Sequence, residues 1–172
     1  MIFLTVNTYR RLPIFKERQA CQLFFKEIDF YRGKFGFELY GYVLMPDHFH
    51  LLLHFPPNQD FAAFLRDFKS AVGRLVVDWV IDNGRRKLLG RLRLPQSPRR
   101  NRDPRYAVLQ ADSYVVPVTS NSMFKQKLDY IHANPVRENF VARAIDYPHS
   151  SLRNYELGEG SVRIDWHGMI LP

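Results

Sequence analysis

The sequence predicts an α+β fold, a four-stranded antiparallel sheet with helices on one face. Three patterns predict it. Residues 16–32 and 61–82 carry apolar side chains at helical spacing. Residues 48–55 alternate with the period of a strand whose two faces differ. These segments fall in the order β-α-β-β-α-β, followed by a third helix. The chain has 172 residues, 46% hydrophobic and 24% charged, which suits one domain with its own core and excludes disordered, collagen-like and coiled-coil classes.

Ile2 to Thr8 reads as the first strand. In the first helix Ala20, Leu23, Phe24, Ile28 and Tyr31 share one face, and Gly33 and Gly36 are expected to close it. Phe37 to Met45 is apolar on both faces, which predicts an interior strand. After a tight Met45-Pro46-Asp47 connection, His48, His50, Leu52 and His54 face one way on the third strand. Phe49, Leu51, Leu53 and Phe55 face the other, beneath the two helices, so the histidine face is expected to look out from the open side of the sheet. Asp60 can cap the second helix and Asn83-Gly84 can end it. Tyr106 to Val118 reads as an irregular fourth strand, with Pro117 near its end. Ser120 or Ser122 caps the third helix, which Asn134-Pro135 is expected to stop. The order matches the split βαβ, ferredoxin-like arrangement. Residues 1–172 form one predicted domain, with a basic loop at 85–105, a helix at 120–134 and a tail at 135–172 wrapped over the body.

The net charge of +8 has a location. Arg85, Arg86, Lys87, Arg91, Arg93, Arg99, Arg100, Arg102 and Arg105 stand against Asp103 alone, while the rest of the chain is balanced. Arginine forks onto phosphate oxygens and stacks on bases, so a nucleic acid is the expected partner of a mobile loop. Pro95, Pro98 and Pro104 forbid a long helix there. One cysteine, Cys21, excludes an intramolecular disulfide framework and is expected to be structural. No run of 18 apolar residues predicts a membrane span, and the first residues do not resemble a signal peptide, so a cytoplasmic protein is expected.

His48 and His50 lie at i and i+2 of one strand, about 7 Å apart, so two imidazoles can converge on one divalent cation. On the third helix Lys127, Tyr130 and Asn134 share a face, with Leu128 and Ile131 free to anchor it. Two imidazoles and an amide oxygen would leave positions open on a hard cation such as Mg²⁺ or Mn²⁺, which can polarise a phosphate. Tyrosine is a weak nucleophile at neutral pH and needs such an electrophile or a nearby cation. There is no Walker-type loop, so no nucleotide cofactor is expected.

Met45-Pro46-Asp47-His48-Phe49-His50-Leu51-Leu52-Leu53 and Asp129-Tyr130-Ile131-His132-Ala133-Asn134-Pro135-Val136-Arg137 stand about 80 residues apart. Together with Gln110 and Asp146-Tyr147-Pro148-His149-Ser150-Ser151, they resemble the Y1 HUH transposases of the IS200/IS605 type. Their closer likeness is to the REP-associated tyrosine transposases. Leu109 stands where that branch commonly has Trp. The resemblance implies a metal-dependent single-strand DNA endonuclease and strand transferase, an enzyme of bacterial DNA transposition and recombination. Its substrates would be hairpin, REP-like palindromic DNA beside a single-stranded tetranucleotide. Tyr130 would form a covalent 5′-phosphotyrosine intermediate, with His48 and His50 catalytic, and His48, His50 and Asn134 the metal ligands. The basic residues and Lys127 would contact DNA, and Tyr106 could stack on unpaired bases. Relatives that work as dimers exchange the tyrosine helix; here the long tail favours a monomer.

Two other readings stand beside this one. A catalytically silent module could bind hairpin DNA through the basic segment. A zinc hydrolase could use His48 and His50, but Asp47 is expected to point to the opposite face of the strand and so to offer no base. His132 is expected to pack or bind phosphate, His54 to be structural, and His149 and His167 to lie at the surface.

Overall fold

The computed structural model describes residues 1–95 and 106–165. Its elements are β1 (Ile2–Asn7), α1 (Arg18–Phe35), β2 (Glu38–Met45), β3 (His48–His54), α2 (Phe61–Asp82), α3 (Arg86–Leu92), β4 (Tyr114–Pro117), α4 (Asn121–Arg137) and α5 (Leu152–Leu157). The sheet order is β2-β3-β1-β4, with β1 antiparallel to β3 and β4, and β2 antiparallel to β3. That order is the split βαβ arrangement expected from the sequence.

The main core lies between one face of this sheet and α1 and α2. Phe24 of α1 meets Phe49 of β3 and Phe68 of α2, with ring centroids 4.8 and 5.5 Å away. Leu51 and Leu53 bury on the same side, so the alternation along β3 is realised as expected. Asp60 caps α2 by accepting the Ala63 N–H at 2.9 Å. Gly33 does not close α1. The helix runs through it to Phe35, and Gly36, at φ 65°, closes it by donating to the Arg32 carbonyl. Cys21 is buried, its Sγ on the Phe15 carbonyl, and burial raises its pKa to about 11, which makes it an inert packing residue.

The structure corrects five further expectations. β2 is an edge strand, not an interior one. Its free edge is covered by the tail: Leu44 N–H donates to His149 O, Ser151 N–H to Tyr42 O, and Asp165 N–H to Leu39 O, at 2.8–2.9 Å. A strand so covered needs apolar residues on both faces as an interior strand does. The second face of the sheet is not open either. α4 lies across it, and Phe3, Tyr40, Val43, Leu52, Phe124, Ile131 and Tyr147 form a second core there.

The third correction concerns the basic segment. Its first third is helical as α3, which ends before Pro95, and the structure describes nothing from 96 to 105. The fourth concerns α4. Ser120 caps it through the Met123 N–H, but Asn134-Pro135 does not stop it. Only the N–H of Pro135 is missing, and Glu138 N–H still reaches Asn134 O at 3.0 Å, so the last turn completes and the tail begins after Arg137. β4 is shorter than expected. Tyr114–Pro117 pairs with β1, while Leu109 and Tyr106 make isolated bridges to Thr8 and Arg93. Tyr106 packs partly buried against the main core. Among the described residues no helix is long and apolar enough to cross a membrane.

Candidate active site

β3 carries His48 and His50 onto the face that α4 covers, opposite Asn7 and Thr5 of β1. Both histidines are buried, 3% and 4% exposed. α4 can lie close because Gly41 of β2 has no side chain. A Cβ built there would stand 2.7 Å from Leu128 Cδ1 and 3.5 Å from Ile131 Cδ1. This seat, with Leu128 and Ile131 as the expected anchors, aims the polar face of α4 at β3. The Tyr130 ring meets the His50 ring at 5.2 Å and Phe3 at 6.0 Å. Asn134 Nδ2 lies 3.4 Å from His50 Nε2. Lys127 Nζ stands 4.8 Å over Phe3, and the Arg137 guanidinium 5.0 Å over Tyr130. The sequence-predicted set of His48, His50, Tyr130, Asn134 and Lys127 is thus brought together.

The protonation of His50 follows from its partners. Burial, then the charges of His48, Arg11 and Lys127, push its pKa down to about 3, so the ring is neutral at physiological pH. With the Asn134 amide turned so that Nδ2 faces it, Nε2 is the bare nitrogen, because an amide NH₂ only donates. Nδ1–H then donates to Thr5 Oγ1 at 2.7 Å, which fixes the ring. Phe3 stacks on its other side at 5.4 Å. In this arrangement Asn134 Oδ1 is buried with no hydrogen-bond partner. A buried carbonyl oxygen without a partner is costly, and a bare imidazole nitrogen beside it completes a cation's donor pair. The residues therefore fit a divalent metal.

His48 is held differently. Its Nδ1 is 2.8 Å from Asp47 Oδ1, and its Nε2 is 3.6 Å from Glu138 Oε1. Asp47, His48 and Glu138 each offer one atom within 4.8 Å of the others, a grouping that does not include His50. Asp47 does not point away from the site as expected. It belongs to the turn between β2 and β3, where strand alternation does not apply. Its two oxygens are engaged by His48 and, at 2.9 Å, by Arg11 Nε. Arg11 and its neighbour Arg10 hold positive φ of 53° and 54°, a left-handed turn that costs roughly 1–2 kcal/mol per residue and delivers the guanidinium to Asp47.

Thr5, Arg11 and Glu138 are the site residues that sequence reasoning missed, and Asp47 is the one it turned to the wrong face. Thr5 and Arg11 had no sequence signal, since sheet register and turn conformation bring them in. Glu138 had one, standing four residues after Asn134 and eight after Tyr130, but it was hidden by ending the helix at Pro135.

The basic residues divide. Arg86, Lys87 and Arg91 lie on α3 beside a groove of about 590 Å³ that Pro13, Lys16 and Arg85 also line. Arg85 is already engaged by Glu17 at 2.6 Å and by the Trp79 ring at 4.6 Å. Arg93 bridges to Tyr106. Arg99, Arg100, Arg102, Arg105 and His167 lie outside the described residues. His54 is exposed and bonds Glu38 at 2.9 Å. His132 turns away from the site, packs on Tyr155 and contacts Ser151 Oγ, and burial lowers its pKa to about 4. His149 is not at the surface. It is half-buried against Phe25 and Tyr147 and bonds Ser161, pinning the tail.

Residues 2–91 match the family model described as transposase IS200 like, a span from β1 through α3 that includes His48 and His50. No curated protein matches the chain. Among solved structures, a REP-associated tyrosine transposase bound to a REP hairpin is similar. It is 21% identical with a TM-score of 0.65, over 99% of this chain and 87% of that one. A putative transposase from Deinococcus radiodurans R1 is 20% identical with a TM-score of 0.48, over 76% of this chain and 86% of that one. With the family model covering more than half its length, and a sheet and helices of the same arrangement, this chain belongs to the IS200-like transposases.

Proposed function

We propose that this transposase cuts and rejoins single-stranded DNA beside hairpin, REP-like palindromes, with Tyr130 as nucleophile. The observation that carries the reading is a convergence. Tyr130 and Asn134, from the helix at one end of the sequence, meet His50 and His48, some 80 residues earlier. In the cut, the Tyr130 phenolic oxygen forms a bond to phosphorus and gives up its proton. The bond from phosphorus to O3′ breaks, and O3′ leaves as a hydroxyl once it has taken a proton. The 5′-phosphate stays on the tyrosine. A 3′-hydroxyl attacking that phosphotyrosine reverses the exchange, so the phosphodiester energy is retained and no nucleotide cofactor is needed.

His48, His50 and Asn134 would hold a Mg²⁺ or Mn²⁺ ion, whose Lewis acidity would polarise the scissile phosphate. Lys127 and Arg137 flank the tyrosine and place positive charge where phosphate oxygens arrive. Arg86, Lys87 and Arg91, with the more distal arginines of the segment, would contact the DNA backbone. The tail covering the free edge of β2 favours a monomer acting with its own tyrosine, on DNA in a bacterial cytoplasm.

The test is covalent trapping. The protein is mixed with single-stranded hairpin oligonucleotides from its own genome's extragenic repeats, with Mn²⁺ or Mg²⁺, then denatured and run on a gel. A metal-dependent protein–DNA adduct is expected, lost in Tyr130→Phe and in His48→Ala. Tight hairpin binding without an adduct in either metal would make the chain a silent hairpin-binding module instead.

A further inference from the structure

We propose that Glu138 is an additional, anionic ligand of the metal, so that the centre binds its cation before DNA arrives. This rests on the reading that His48, His50 and Asn134 form a metal centre. Glu138 ends α4 one turn past Asn134, whose carbonyl accepts its N–H at 3.0 Å, and two turns past Tyr130. Tyr130, Asn134 and Glu138 therefore share one helix face.

Three observations point from the carboxylate to a cation. Asp47 occupies His48 Nδ1 at 2.8 Å, which leaves Nε2 to face Glu138 Oε1 at 3.6 Å, too long for a hydrogen bond. Two donors on one small cation at right angles stand about 3.0 Å apart, a separation the side chain reaches by a small rotation from its one-third exposed position. Next, a carboxylate at a helix C-terminus faces the negative end of the macrodipole, which is unfavourable. Among the described residues no lysine or arginine forms an ion pair with Glu138 to offset that cost. Finally, Asn134 Oδ1 is buried without a partner one turn away, on the same side of the helix.

Asp47 is not a ligand in this scheme. Its oxygens are committed to His48 and Arg11, so it orients the imidazole from behind, as carboxylates behind metal-bound histidines do. The donor set becomes two imidazoles, an amide oxygen and one carboxylate. Three neutral donors hold a strongly hydrated cation weakly and would rely on the DNA phosphate to complete the site. A carboxylate among them adds charge and a hard oxygen, which favours Mg²⁺ and Mn²⁺ and lets the metal load first.

The probe is Mn²⁺ titrated into DNA-free protein, with free ion read by its electron paramagnetic resonance signal. The wild type is expected to bind one Mn²⁺, and His50→Ala to lose it. Glu138→Gln is expected to weaken the Kd by roughly tenfold or more, with an unchanged Tm. Adding a hairpin oligonucleotide in a Tyr130→Phe background is expected to recover part of that loss, because phosphate oxygen replaces the carboxylate. Glu138→Ala should weaken binding as much, which guards against a glutamine oxygen standing in. A Kd within twofold of wild type for both variants would overturn the role of Glu138 and leave the histidine–asparagine centre standing; Glu138 would then be only a neighbour of His48. If the wild type binds no Mn²⁺, alone or with the hairpin, the metal reading itself falls and this inference with it.

Discussion

Gly41→Val tests whether the seat of α4 sets the catalytic geometry. The first atom of any side chain at this position would stand 2.7 Å from Leu128 Cδ1 and 3.6 Å from Leu52 Cβ. Ordinary carbon contacts are about 3.5–4.0 Å, so the interface must open by roughly 1 Å or Leu128 must swing away. Valine adds two methyl groups to a position closed by Ile131 as well, which leaves a rotation of Leu128 insufficient. Overpacking of this kind costs about 2 kcal/mol, or about 6 °C in Tm for a chain of this size. The larger effect is on the chemistry. Lifting α4 carries Tyr130 and Asn134 away from His50, where the amide contact is already 3.4 Å. A misplacement of about 1 Å costs on the order of 100-fold in rate. The assay is the initial rate of covalent adduct formation, measured beside the melting temperature. Leu128→Ala in the Gly41→Val background removes the clashing atom and is expected to restore much of the rate, a coupling that separate effects would not show. A variant that melts lower but cleaves at the wild-type rate would refute the reasoning, because it would show that α4 finds its place without the glycine.

Three further outcomes are expected. Thr5→Val removes the acceptor that fixes His50 Nδ1–H, and Mn²⁺ affinity is expected to fall about 10–100-fold while the fold survives, read by the same titration. Substituting Arg86, Lys87 and Arg91 together with Ala is expected to reduce the slope of log binding constant against log salt by about 2–3 for hairpin DNA, leaving cleavage at saturating DNA unchanged. An unchanged slope would place the backbone contacts elsewhere. The tail is expected to loosen in acid. Burial lowers the His149 pKa below the value of the unfolded chain, so the docked state is fully favoured above the ordinary histidine range and loses stability as pH falls through it. Amide exchange at Leu44, whose N–H donates to His149 O, should accelerate at pH 5 relative to pH 7.5 beyond the intrinsic rate change, and should do so less in His149→Phe, the remainder coming from buried His132 against Ser151.

Much of this is legible in the sequence alone. Helical and strand periods depend only on neighbours along the chain, so the amphipathic α1 and α2 and the two-faced β3 could be read directly, and the element order implied the sheet topology. The grouping of Lys127, Tyr130 and Asn134 came from helical spacing alone, and the pairing of His48 with His50 from strand spacing alone. What spacing along one element cannot express is which element lies against it. Edge and interior strands look alike when a tail covers the edge, and so the apolar pattern of β2 reads as an interior strand although it lies at the edge. Pro135 has a strong local signature, yet losing one N–H in a last turn is a small cost once Phe124 and Ile131 are packed, so α4 ran on to present Glu138. The identity of the chemical groups, two imidazoles, a phenol and an amide, was a property of the sequence by itself. Their burial, the bare Nε2 of His50, the orphaned oxygen of Asn134 and the carboxylate facing His48 were decided only by tertiary structure, because each depends on an approach between segments that are distant in the chain.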